Sequence, residues 1–358
     1  MDAKEKYDKT FENGGLIIPE DKWLATMNLR ETEEAIKFIK DTFQERLVQE
    51  LNLKRVSAPI ALLAGTGIND NLTGAEKPVD FQIKSMHKKA EIVHSLAKWK
   101  RLALRDYGFI SGEGLYTDMN AIRTSEFLDN VHSIYVDQWD WERIIANNER
   151  NVGVLKYIVR KIYNVIKEVE KVVCHRYPQI GGPFLPDNIK FVHTEDLLDK
   201  YPEKTPQERE EAITKLEKAV FVIGVGGELK DGTRHEIRAA DYDDWTTEGV
   251  NGKKGLNGDI LIWNPVLGSA LELSSMGIRV DSDTLLKQLE IRDENYKKDL
   301  PFHQEILQDR LPQSIGGGIG QSRLCMYYLR KAHIGEVQAS IWPDEIRKKC
   351  SEHGIKLL

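Results

Sequence analysis

The sequence predicts an α+β fold built on a central antiparallel sheet. Segments with strand character cluster, helical segments run separately, and no regular strand–helix–strand alternation appears. With 358 residues, 41% hydrophobic and 30% charged, the chain has the composition of a soluble globular protein with a sizeable core. No internal repeat or low-complexity linker divides it. Residues 26–358 are therefore expected to form a single domain behind a polar, glycine-containing extension, residues 1–25.

Taken in order, Ile36, Ile39, Phe43, Leu47 and Leu51 recur at helical spacing and predict an amphipathic helix. Residues 56–60 read as extended, because Pro59 disfavours helix in the residue before it. Val79, Phe81 and Ile83 alternate with polar neighbours, as in a strand. Ser95 can cap a helix running through Lys98, Trp99 and Lys100 to Arg105. Residues 116–124 and 131–141 read as an antiparallel hairpin with a long loop. Around its second strand Gln138, Asp140 and Glu142 share one face, while Trp139 and Trp141 take the other, most simply the core. A long helix is expected over residues 142–174. Thr205-Pro206-Gln207-Glu208 is a capping box with proline at the first helical position. Residues 220–225, 259–263 and 270–280 read as strands, the last leading into a helix near Ser282. Residues 319–330 read as a helix entered from Gly316-Gly317-Gly318.

Several function classes are disfavoured. The net charge is −6, and acidic stretches such as 208–211 offset the basic run 84–89, so no large nucleic-acid surface is expected. No stretch approaches about eighteen consecutive apolar residues, and the first residues lack the apolar core of a signal peptide. Cys174, Cys325 and Cys350 are widely spaced, which fits a reduced cytoplasm and not a disulfide framework or zinc site. Gly227 to Thr233 has P-loop glycine spacing but no lysine, and Gly318-Ile319-Gly320 lacks the third glycine of a dinucleotide fingerprint.

Three stretches together suit adenylate chemistry. Arg123 and Glu126 sit where a strand enters a loop, and an arginine there can steady an α-phosphate. Asp259, Glu272 and Ser275 offer the hard oxygens that magnesium takes alongside phosphate. Gly318 and Gly320 form a glycine floor beside Arg323, whose guanidinium can stack on a purine or meet a terminal phosphate. Lys100 and Arg279 are candidates for a substrate carboxylate, and Asp70 and Asp140 for a substrate ammonium. Asp243 stands out in the acidic loop with Asp241 and Asp244. His132 and the Cys174-His175 pair read as structural.

These stretches resemble the three signature motifs of class II aminoacyl-tRNA synthetases, especially the aspartyl/asparaginyl branch. Pro59 matches the first motif, Arg123 and Glu126 the second, and Gly318, Gly320 and Arg323 the third. Gln138-x-Asp140-x-Glu142 and the segment from Glu272 to Arg279 resemble further parts of that site. Ser95 and Lys100 match the substrate helix, with Ala97 in place of the usual glutamine.

The strings Asp70 to Lys77, His94 to Arg101, Tyr135 to Arg143, Arg238 to Trp245 and Ile315 to Leu324 resemble most closely the ammonia-dependent asparagine synthetase (aspartate–ammonia ligase) family, over about residues 25 to 350. The resemblance implies a homodimer and a sheet of about eight strands flanked by helices. It implies that L-aspartate, ATP and ammonia give L-asparagine, AMP and pyrophosphate through β-aspartyl-adenylate. It also implies Mg2+, and nucleotide contacts from Arg238 and Asp243 as well as Arg123, Glu126, Gly318, Gly320 and Arg323. Ser95, Lys100, Gln138, Asp140, Ser275 and Arg279 would hold the substrate, with Asp70 a candidate base for ammonium. The segment before Pro59 is too short for the ~100-residue anticodon-binding barrel of a synthetase. Asp2 follows Met1 with no cysteine near the start, so free ammonia is the expected nitrogen source. The rival readings are a synthetase paralogue charging another acceptor and a non-catalytic binding relative.

Overall fold

A computed structural model describes residues 16–23, 27–70, 72, 76–249 and 252–358. Most of the expected extension (residues 1–15, 24 and 25) and the loop residues Asn71, Thr73, Gly74 and Ala75 lie outside the described residues.

Helix α1 (Leu29–Leu51) opens on a capping box in which Asn28 and Glu31 satisfy each other's backbone N–H groups. It buries Ala35, Ile36, Ile39, Phe43, Leu47 and Leu51, the stripe its periodicity predicts. Strands β1 (Leu53–Arg55), β2 (Ala61–Leu63), β3 (Asp80–Ile83) and β4 (Lys88–Ile92) precede α2 (Ala97–Asp106). The hairpin β5 (Gly114–Ile122) and β6 (Tyr135–Ile144) is followed by α3 (Val152–Arg176). Then come β7 (Lys190–His193), α4 (Thr194–Lys200), α5 (Pro206–Glu217), β8 (Ala219–Ile223), β9 (Asn257–Asn264), β10 (Ser269–Ile278), α6 (Ser282–Ile291) and α7 (Pro301–Leu307). Strand β11 (Ser314–Gly320) runs into α8 (Gln321–Tyr328), and α9 (Asp344–Glu352) follows.

Eight strands form one sheet in the order β1-β5-β6-β11-β10-β9-β8-β7, and β2-β4-β3 form a small second sheet. The six middle strands are antiparallel as expected. Both edge pairs, β1 with β5 and β7 with β8, are parallel, so the sheet is mixed. One face carries the main core under α1 and α3. There Trp139 and Trp141 are fully buried, and Trp139 stacks on Phe43 with ring centroids 4.5 Å apart. The opposite face carries Gln138, Asp140 and Glu142, because side chains alternate along β6.

Three expected elements move. The helix expected from residue 142 starts at Val152, since β6 runs on to pair Glu142 with Gly316. The helix expected from residue 319 starts at Gln321, and Gly316 to Gly320 are a sheet strand. The helix after Ser95 is capped by Leu96, while Ser95 Oγ accepts the Ala97 N–H at 3.1 Å. No helix among the described residues is long and apolar enough to cross a membrane.

Candidate active site

The three glycines act by their lack of a side chain. None of Gly316, Gly317 and Gly318 has positive φ. A Cβ on Gly316 would stand 1.9 Å from Glu142 Oε2, and one on Gly318 would stand 2.1 Å from Gln138 Oε1. Bare backbone in β11 thus lets the polar side chains of β6 lie flat across it, on the face opposite Trp139.

Two adjoining cavities open on that face, of about 190 and about 250 Å³. They share Arg123, Glu126, Gln138, Glu272 and Gly318 as a common wall. The first also holds Gly320, Arg323, His132, Asp137 and Gln338. The second holds Asp70, Ser95, Lys100, Asp140, Arg238, Asp243, Ser275 and Arg279. Every proposed substrate or nucleotide residue therefore lines one cavity or both. Arg238 and Asp243, expected with the nucleotide, line the second cavity and not the first. Asp259 lies in β9 and reaches the site through Arg238.

Arg123 projects from the end of β5. Its Nε and Nη2 donate to the His94 carbonyl at 3.3 and 3.1 Å, and Nη1 lies 3.6 Å from Glu126 Oε1. A guanidinium has five N–H donors, so some remain for a ligand. Arg323 stands at the start of α8. Its Nε donates to the Val131 carbonyl at 3.3 Å and its Nη1 to the Glu272 carbonyl at 3.0 Å, which aims the group across the first cavity.

Lys100 is fully buried. Its ammonium donates to Asp140 Oδ1 at 3.0 Å, to the Trp141 carbonyl at 3.1 Å and to the Gly317 carbonyl at 3.0 Å. Burial holds its pKa below the usual lysine value. All three donors are thus spent, and direct contact with a substrate carboxylate needs one bond exchanged. Arg279 makes a fork to Glu142, Nε to Oε1 at 2.9 Å and Nη2 to Oε2 at 2.7 Å, and also donates to Asp243. Two of its five N–H groups stay open, making it the better-placed carboxylate anchor.

Asp70 is buried, and its Oδ1 accepts the Leu72 N–H at 3.0 Å. Burial pushes its pKa up to about 6, against the opposing pull of the Lys98 charge. Arg238 donates from Nη1 to Ser275 Oγ at 2.9 Å and from Nη2 to Asp259. Asp259 Oδ1 is buried with no partner among the described residues. Burial, with Glu272 and Glu236 nearby, raises the Asp259 carboxyl well above its usual range despite Arg238. A crowded carboxylate set with an unpartnered oxygen is what a divalent cation would relieve, so Asp259, Glu272 and Ser275 fit magnesium chemically.

His132, expected to be structural, has its Nδ1 2.9 Å from the Asp129 carboxylate and also lines the first cavity. Sequence reasoning missed Asp137, Glu236, Tyr242 and Gln338 as wall residues. Glu236 and Tyr242 flank recognised positions, but Gln338 lies beyond the last motif and carried no signal of its own.

The sheet and its two joined cavities define a catalytic domain of the class II aminoacyl-tRNA synthetase type. Among solved structures, the asparaginyl-tRNA synthetase of Entamoeba histolytica with asparaginyl-adenylate matches with TM-score 0.64 at 13% identity, covering 88% of this chain and 69% of that one. That of Pyrococcus horikoshii with asparaginyl-adenylate matches with TM-score 0.60 at 17% identity, covering 87% and 70%. These likenesses establish the fold. The family model described as aspartate-ammonia ligase matches residues 30–354. An aspartate–ammonia ligase of Parabacteroides distasonis is 58% identical, covering 93% of this chain and 97% of its own. One of Clostridium perfringens is 54% identical, covering 96% and 99%. The chain belongs to the aspartate–ammonia ligase family.

Proposed function

We propose that this protein amidates L-aspartate with ammonia, using ATP and forming AMP, by way of β-aspartyl-adenylate. The observation that carries the reading is the shared wall. One cavity bears Arg323 and Gly320 for a nucleotide, the other bears Arg279 and Asp70 for a small amino acid, and Arg123 stands where they meet.

Arg279, with the charge of Lys100 behind it, holds the α-carboxylate. Asp140, Gln138 and Asp70 orient the α-ammonium, and Ser95 and Ser275 complete the pocket. The β-carboxylate then faces the α-phosphorus beside Arg123. Its oxygen attacks, the bond to the β-phosphate oxygen breaks, and pyrophosphate leaves. Glu126, Gly318, Gly320 and Arg323 hold the nucleotide, and Arg238 and Asp243 face it from the aspartate cavity. Asp259, Glu272 and Ser275 would hold Mg2+, which when bound offsets charge on the transferring phosphate. Ammonia attacks the β-carbonyl, the carbon–oxygen bond to AMP breaks, and a proton from nitrogen passes to Asp70. Positioning and charge stabilisation supply most of the catalysis.

Residues 26–358 act as one catalytic domain, supported by a single sheet that recruits strands from Leu53 to Gly320. A homodimer is supported by the extended segment at Pro59, where Ile60 is 63% exposed. The three free, buried cysteines suit a cytoplasmic setting.

The test is product analysis after incubation with ATP, magnesium, aspartate and ¹⁵N-ammonium. Labelled asparagine with AMP is expected. ADP in place of AMP overturns the adenylate route, and AMP without asparagine points to another acceptor.

A further inference from the structure

Behind the aspartate cavity lies a separate, smaller one of about 130 Å³, which the reaction as described does not use. Its wall includes Asn69, Glu91, Lys98, Asp241, Lys297 and His303, with Leu63 of β2 at one side; Lys297 Nζ lies 3.9 Å from Asp241 Oδ2 and donates to Glu294 at 2.7 Å. Asp241 and His303 are both fully buried. One carboxylate oxygen of Asp241, Oδ2, takes the Lys98 ammonium at 2.6 Å and His303 Nε2 at 2.8 Å. The other, Oδ1, is buried with no partner among the described residues, and so is His303 Nδ1.

The tautomer follows from these contacts. An ionised carboxylate only accepts, so His303 Nε2 carries the hydrogen. In the neutral ring Nδ1 is then a bare acceptor. With the ring neutral, this pair leaves two unmet acceptors beside the ammonium groups of Lys98 and Lys297. A ligand for it should be small and rich in N–H or O–H. Gly67 keeps the space beside His303 open: a Cβ there would stand 2.9 Å from Nδ1.

Neighbouring residues line the two cavities, Asn69 the rear one and Asp70 the aspartate one. The Asn69 side chain lines the rear cavity, and its Oδ1 accepts the backbone N–H groups of Asp70 at 3.1 Å and His94 at 3.0 Å. Lys98 bridges Asp241 and the Asn69 carbonyl, the latter at 3.4 Å. Asp70 is the next residue along and faces the aspartate cavity. We propose that the rear cavity captures ammonium on Asp241 and His303, that one of its protons passes to His303 Nδ1, and that the ammonia moves by Asn69 to Asp70, which takes the second proton on amide formation. This rests on the amidation reading above. It separates the nitrogen source from the route taken by ATP and aspartate, so ammonia can arrive while the adenylate fills the front. Lys98 already neutralises Asp241 in part, which keeps the captured nitrogen from being held too firmly to move on.

The experiment measures two quantities on the full chain: KM for ammonium in asparagine synthesis, and aspartate-dependent exchange of pyrophosphate into ATP. Exchange needs no nitrogen donor. Asp241→Asn is expected to raise the ammonium KM at least about tenfold, a loss of one charged contact. Because Asp241 also holds Lys98, Leu63→Trp is the deciding variant. It narrows the cavity without removing a hydrogen bond, and should raise the ammonium KM several-fold with exchange within about twofold of wild type. An unchanged ammonium KM in Leu63→Trp means the cavity holds only water and overturns the inference, as does an equal loss of exchange. Absence of exchange in the wild type sinks the adenylate reading itself, a separate failure.

Discussion

Gly318 lies directly opposite Asp140 in the β6–β11 ladder, and a Cβ on it would stand 2.9 Å from Asp140 Oδ1 and 2.1 Å from Gln138 Oε1. The obstacle is the end of two side chains, not backbone. Gly318→Ala should therefore fold, with Gln138 pushed aside. Since Gln138 forms the wall shared by both cavities, KM for aspartate should rise about tenfold or more, equivalent to about 1.4 kcal/mol. Steady-state kinetics beside a thermal melt checks this. Normal aspartate kinetics would mean that Gln138 has no part in substrate binding.

Arg123 is the basic residue in the wall that the two cavities share, and among the described residues its fixed partners are the His94 carbonyl and Glu126. Arg123→Ala should lower aspartate-dependent AMP production by at least about 10³-fold, the scale seen for arginines that stabilise phosphoryl transition states. The fold should persist, because no buried carboxylate loses its only counter-ion. Near-normal turnover would remove Arg123 from its assigned role.

Asp70 gives a pH prediction whose sign follows from its burial. Its carboxyl is raised to about 6, and it can accept a proton only when ionised. Amidation at fixed total ammonium should gain a falling limb as pH drops through about 6. Pyrophosphate exchange at saturating aspartate, which needs no such base and is not limited by the hold of Asp70 on the α-ammonium, should lack that limb. In Asp70→Asn the limb should vanish along with most of the amidation, while a limb that survives unchanged belongs to another group.

How far the site could be read from the chain depends on the kind of signal. The helix of α1 and the core face of β6 were legible, because burial imposes periods of 3.6 and 2 on apolar residues. Residues 88–92 gave no strand signal, since Lys88, Lys89 and Glu91 are polar and only Ala90 is buried. The Gly316 to Gly318 run reads in the sequence as the entry to a helix, whereas it lies in a strand. Glycine has no side chain to show a period, and its reason lies in the neighbouring strand, in Gln138 and Glu142. Likewise the sequence marks Lys100 and Arg279 as candidates for a substrate carboxylate. It could not show that Lys100 spends its donors on the protein, because those acceptors are 40 to 217 positions away.

The Glu142–Arg279 fork is the site's mechanical anchor as well as its charge balance. Glu142 is fully buried, bonded also by Ser314 Oγ at 2.7 Å and with Lys100 Nζ 3.9 Å away. Arg279 holds its carboxyl below the usual range, against the opposing effect of burial. Glu142→Ala would leave Arg279 with Asp243 alone. Breaking one side of a buried ion pair costs about 3–5 kcal/mol. Urea denaturation should show that loss in the midpoint, at similar slope. A shift under about 1 kcal/mol would mean that Asp243 alone suffices.

Arg238 lies between the candidate magnesium residues, donating to Ser275 Oγ and to Asp259 while Asp259 Oδ1 stays without a partner among the described residues. A cation and this guanidinium therefore compete for one carboxylate. Asp259→Asn removes the charge that both need, and should raise the magnesium concentration for half-maximal activity about tenfold or more. Arg238→Ala should act in the opposite sense on the metal, freeing Asp259 and Ser275, while weakening ATP through loss of a phosphate-directed charge. Titrating magnesium at saturating ATP separates the two effects, and stabilisation by magnesium and ATP in a thermal melt gives a readout independent of turnover. If both variants show the wild-type magnesium dependence, the metal is held elsewhere, and the Arg238–Asp259 pair is purely structural.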